Sequence, residues 1–202
     1  ELMTNLSMSL VNALYNLQLM KIAGENGVAA YGAVMYVNFI FVATFLGYAI
    51  GCAPVISYHY GAGNHAELKN LYKKSMSIIL VWGVILFGAA QLLAPVLSKI
   101  FVGYNTGLYA MTLHGFRVYA IAFLIIGINI FGSSFFTALN NGLISAVISF
   151  LRTLMFQVIM VLTLPLWFGI NGIWSAISIA EALTLIMTTT FFVRQKDKYH
   201  YL

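Results

Sequence analysis

From Ala29 to Tyr58 the chain runs through thirty consecutive residues without a formal charge. A helix of that length reaches about 43 Å, more than the roughly 30 Å of hydrocarbon in a bilayer. Such a segment must tilt or bend, and Gly47, Gly51 and Pro54 are the places in it that allow a bend. The same pattern repeats along the sequence, in which 61% of residues are hydrophobic and 7% are charged, at a mean hydropathy of +0.92. A soluble domain carries about 25% charged residues, so this chain cannot coat a water-facing surface. It reads as an all-α, polytopic transmembrane bundle of about six helices, with spans near 2–22, 29–58, 71–96, 116–139, 143–166 and 172–193. The residues left over suffice only for short connections. The bundle is therefore a single unit surrounded by lipid.

The charges that remain describe topology. Lys69, Lys73, Lys74, Arg152, Arg194, Lys196 and Lys198 fall on the side that also holds both chain ends, and Lys21, Lys99 and Arg117 on the other. The excess marks the first side as cytoplasmic. A net charge of +5 and a pI near 9.3 thus reflect span edges and not a nucleic-acid surface. Cys52 is the single cysteine, which excludes an intrachain disulfide and a cysteine-based metal site. His59 and His65 lack a third ligand, so no metal is expected. No nucleophile elbow, phosphate loop or paired-carboxylate site is present, and the chain does not read as an enzyme. It opens at Glu1 already inside an apolar segment, as the cut end of something longer would.

Polar residues inside the spans carry the functional signal. Asn5, Ser9, Asn12 and Asn16 recur at steps of four, three and four on the first span, which places them on one helix face. Four such side chains offer more donors and acceptors than a dry helix contact satisfies, so this face is expected to meet a wet cavity. Asn129, Ser133 and Thr137 repeat the device on the fourth span, and Ser178, Glu181 and Thr188 on the sixth. Glu181 is the most deeply placed acid, where an unpaired carboxylate is costly. Arg152 reaches a similar depth on the fifth span. The two form either a structural ion pair or part of an ion-coupling site.

Four stretches in order resemble one family. Ser57 to Asn64, SYHYGAGN, resembles the connection between the second and third helices in each lobe of the multidrug and toxic compound extrusion family. Phe135 to Arg152, FFTALNNGLISAVISFLR, resembles its stretch joining the fourth and fifth helices. Pro165 with Gly169 to Trp174, GINGIW, resembles the turn into its last helix, and Thr4 to Met20, TNLSMSLVNALYNLQLM, the first helix of its carboxy-terminal lobe. Thr137 stands where the family often has Gln, and Asn140 where it often has Gly. Acidic residues that one branch carries on the first and fourth helices of this lobe have no counterpart near Met8, Ser9 or Asn129.

The resemblance implies one six-helix lobe of a twelve-helix transporter, with an amino-terminal lobe as its partner. It implies a central cavity for small organic cations, export by antiport with sodium ions or protons, no other cofactor, and a bacterial inner membrane. Asn5, Ser9, Asn12, Asn16, Asn129 and Ser133 are then the candidates to line the cavity, with Glu181 and Arg152 as the candidate coupling or structural pair. A lipid-linked oligosaccharide flippase has similar lobes, but its pyrophosphate calls for several basic cavity residues, which are scarce here. A membrane scaffold without transport activity, in which the stripes only join helices, is the alternative from another class.

Overall fold

The computed structural model describes residues 2–202, with side chains from residue 7 onward. Every regular element among the described residues is helical: α1 (Leu2–Gly61), α2 (His65–Val102), α3 (Thr106–Tyr119), a 3-10 turn (Ala120–Ala122), α4 (Phe123–Ala138), α5 (Gly142–Phe150), a π-turn (Leu151–Met155), α6 (Phe156–Phe168) and α7 (Ile170–Tyr199). The short elements join end to end, leaving five helical stretches long and apolar enough to cross a membrane among the described residues.

The first stretch is two crossings. Tyr15 and Tyr31 are sixteen residues apart, about 24 Å along a straight helix, yet their rings stack with centroids 5.1 Å apart. The chain reverses at Gly24, whose φ of 63° and ψ of −155° lie in a region essentially open only to glycine. The polar connection expected over Lys21 to Gly27 thus contracts to a single non-helical residue. Lys21 and Glu25 fall on opposite sides of this break, and they form no ion pair.

Other boundaries also sit closer to the helices than the sequence suggests. Lys99 belongs to α2, and only Gly103–Asn105 separates α2 from α3. The charged run Arg194 to Lys198, expected as a tail, continues α7 to Tyr199. Three connections end in an asparagine N-cap: the side chains of Asn64, Asn105 and Asn141 accept from the backbone N–H of Glu67, Leu108 and Ile144. Each satisfies one donor that the first helical turn leaves unpaired. Asn140 adopts φ 58°, the left-handed conformation that asparagine tolerates better than other non-glycine residues. That accounts for its standing where the resemblance suggests glycine.

The centre of the bundle is α4, whose buried residues run from Phe123 to Ala138 on several faces. In lipid there is no solvent-driven force between helices, so close packing and polar contacts must hold them. Gly127 makes the approach possible: a Cβ there would lie 2.4 Å from the Phe45 ring. Asn129 meets Glu181, and Gly132 meets Thr188, so α4 and α7 run parallel. At one end Tyr72, Phe135, Phe136, Phe192 and Tyr201 form an aromatic knot with centroid separations of 4.9–6.3 Å. Tyr201 donates to the Phe192 carbonyl at 2.9 Å, and Asn141 donates to the Tyr199 hydroxyl at 2.9 Å. The last residue of α7 thus holds the α4–α5 connection, and Tyr201 just beyond it packs onto the end of α4.

Candidate functional site

The first crossing has two faces with different roles. Ser7, Val11, Tyr15 and Leu19 point into the bundle, whereas Ser9, Asn12 and Asn16 lie on its outside. Asn5 belongs to the same stripe by spacing, but its side chain lies outside the described residues. The stripe is thus amide- and hydroxyl-bearing surface on a helix that lipid would otherwise surround. Its inner neighbour is an aromatic pair: Tyr31 donates to Asn12 Oδ1 at 3.1 Å and stacks on Tyr15 at 8°. Tyr15 in turn donates to Gln157 Oε1 at 3.4 Å.

A second polar centre is built around Arg152, which precedes Gln157 in the chain. Arg152 sits in the π-turn between α5 and α6, and its Nε donates to Glu181 Oε1 at 2.8 Å. Asn129 donates from Nδ2 to Glu181 Oε2 at 2.7 Å and to the Glu181 carbonyl at 2.9 Å. Both of its contacts are acceptors, which fixes the orientation of the amide. Asn129 is 0% and Glu181 1% exposed. Charge compensation by Arg152 and two hydrogen bonds to the carboxylate are what make so deep an acid tolerable. Asn129 Oδ1 and the nearby Ser178 Oγ are buried with no partner among the described residues.

Two of the expected cavity residues therefore stand elsewhere than on an open wall. Asn129 is sealed in the core by its bonds to Glu181. Ser133 lies in a hydroxyl cluster joining α4 to α5, with Ser133 Oγ 2.9 Å from Ser145 Oγ and 2.7 Å from Ser149 Oγ. Thr137 donates to Ser145 Oγ at 2.7 Å. Hydroxyls that find one another across a helix pair act as packing contacts. Tyr15, Tyr31 and Gln157 were not anticipated. Gln157, the lone amide in the apolar run of α6, was the available signal for that centre.

A separate apolar pocket of about 180 Å³ lies between the second half of α1 and α2, lined by Thr44, Phe45, Tyr48, Ile78, Ile79 and Trp82. Its polar groups are satisfied: Trp82 Nε1 donates to Thr44 Oγ1 at 2.9 Å and the Tyr48 hydroxyl to Ser75 Oγ at 3.0 Å.

The arrangement matches known proteins. The MatE family model covers residues 2–163. An outward-facing multidrug resistance MATE family transporter of the MOP superfamily superposes with a TM-score of 0.89 at 20% identity, over 99% of this chain and 45% of that one. A MATE structure in the straight conformation gives the same values. A MOP superfamily transporter from Pyrococcus furiosus, described as having a binding pocket of reverse polarity, gives 0.86 at 21% identity over 96% of this chain and 44% of that one. The chain thus spans less than half the length of these structures, and no curated protein matches it. The six apolar crossings, the polar stripe on the first of them and a family match over most of the sequence converge on one assignment: this multi-pass membrane chain belongs to the MatE family of transporters.

Proposed function

We propose that the chain is the carboxy-terminal lobe of a secondary active transporter that exports small organic cations or drugs by antiport with sodium ions or protons. The observation that carries this reading is the exposed stripe of Ser9, Asn12 and Asn16. Amides facing lipid are costly, and facing a second lobe across a hydrated cavity they become ligands. The chain spans 45% of the length of a solved MATE family transporter, which leaves room for that lobe. Alternating access needs two bundles rocking about a site at their interface, so these 202 residues alone do not transport. The family resemblance supports a bacterial inner membrane for this transporter, and the Lys and Arg bias supports both ends facing the cytoplasm.

The carboxylates that bind the coupling ion lie mainly in the other lobe. Glu181 already has both oxygens engaged, by Arg152 and Asn129. The test is the full-length protein in proteoliposomes with imposed sodium or proton gradients and a fluorescent lipophilic cation. Gradient-dependent movement of the cation is expected, and its absence under both gradients would refute the reading. The same assay on a folded Glu181→Gln protein should retain ion-driven transport. Complete loss with normal stability would place coupling at Glu181 instead.

A further inference from the structure

Arg152 leaves most of its hydrogen-bonding capacity open. A guanidinium carries five N–H donors in one plane and grips a carboxylate best through two parallel bonds. Here only Nε reaches Glu181, because the second carboxylate oxygen turns to Asn129. The donors on the two terminal nitrogens have no hydrogen-bond partner among the described residues, and neither nitrogen is among the sealed polar atoms. The Arg152 side chain is 18% exposed against 1% for Glu181. The centre thus turns a held, oriented fork of donors outward and keeps its acceptor inside.

The depth of this fork narrows what can fill it. Arg152 stands ten residues beyond Gly142, about 15 Å along the helix and half the hydrocarbon thickness. Lipid phosphates at the surface are out of its reach. The π-turn packs against α1, and Gln157, just beyond it at the start of α6, begins the run of contacts through Tyr15 and Tyr31 to Asn12 on the exposed stripe. Single π-turns inside helices often mark functional positions.

We propose that Arg152 is a substrate-reading residue: the open end of its guanidinium binds the carboxylate of a zwitterionic organic substrate, while Glu181 and Asn129 hold it in place. This rests on the transporter reading and names a substrate class within it. A matched pair of dyes tests it, rhodamine 110 with a free carboxylate and rhodamine 123, its methyl ester. Binding of each to the full-length transporter is measured by fluorescence anisotropy, in nanodiscs of zwitterionic lipid and in nanodiscs containing anionic lipid.

The free acid should bind roughly tenfold more tightly than the ester, the scale of one charge-assisted pair. That preference should vanish in Arg152→Gln/Glu181→Gln, which removes both charges together and leaves no buried ion unpaired. Arg152→Lys keeps the charge but not the fork, and should lose most of the preference; it decides the matter if the double variant does not fold. Equal binding of the two dyes, or a preference that survives in the variants, overturns the proposal while leaving the transporter reading intact. A preference abolished by anionic lipid assigns the fork to phosphate head groups and also overturns it. If neither dye binds and neither is exported, both readings fail.

Discussion

Glu181 shows how a single acidic side chain is kept inside a membrane bundle. Removing its charge alone leaves the Arg152 guanidinium without a counter-ion, and breaking a buried pair in this way costs about 3–5 kcal/mol. Arg152 is partly exposed, so Glu181→Gln should fall near the lower end, about 3 kcal/mol. The Arg152→Gln/Glu181→Gln protein should recover more than half of that loss. A double-mutant cycle on unfolding in detergent measures the coupling, and additive effects would show that the pair contributes no specific stability. Asn140 gives a prediction of opposite character. At φ 58° Asn140→Gly should leave stability within about 0.5 kcal/mol, whereas Asn140→Val should lose about 1–2 kcal/mol, the cost of the left-handed region.

Among the elements, the helices were legible because each crossing is a long apolar run, and the polar clusters at residues 59–70 and 140–142 marked their ends. What escaped was geometry that leaves no compositional trace. The hairpin at Gly24 reads in sequence as a loop, because Lys21, Glu25 and Asn26 are polar whether the turn takes one residue or seven. The π-turn at Leu151–Met155 has ordinary helix-forming residues. The Glu181–Arg152 contact was accessible from depth alone, but which polar groups face a cavity was not, since Ser133 finds its partners on α5 and spacing along α4 cannot see them. Gly24→Ala should cost about 1–3 kcal/mol by forcing a Cβ into a glycine-only conformation. Gly142→Ala, in helical backbone with open space at Cβ, serves as a neutral control. Equal melting temperatures for the two in detergent would show that the hairpin conformation is not a constraint.

The docked end of α7 adds a pH dependence. Burial pushes the Tyr201 hydroxyl well above its ordinary value, with Tyr72 and Tyr199 adding to the shift. The folded state thus favours the neutral phenol. This contribution is complete below about pH 10, the unfolded value, and is lost as pH rises toward the folded one. Tyr201→Phe, which cannot ionise, should show a shallower loss of melting temperature above about pH 10 than the native chain. Identical alkaline profiles would refute the assignment.

At the scale of the whole molecule, the bundle presents two kinds of outer surface on one helix. Leu10 and Leu17 are 51% and 57% exposed, as lipid-facing residues should be, and Ser9, Asn12 and Asn16 on the same helix are exposed as well. No energetic argument puts amides toward hydrocarbon when a rotation of the lobe can put them toward water. In the proposed transporter, the stripe is the face turned toward the second lobe. With Cys52 replaced by Ala in the full-length protein, Asn12→Cys and Asn16→Cys should react with a membrane-impermeant thiol reagent, and Leu10→Cys and Leu17→Cys should not. Bound organic cation should slow the first two reactions by excluding water from the same surface. If all four positions are equally inert while a loop control at Ala62 reacts, the stripe is dry, the cavity lies elsewhere, and the amides serve only to join the two lobes.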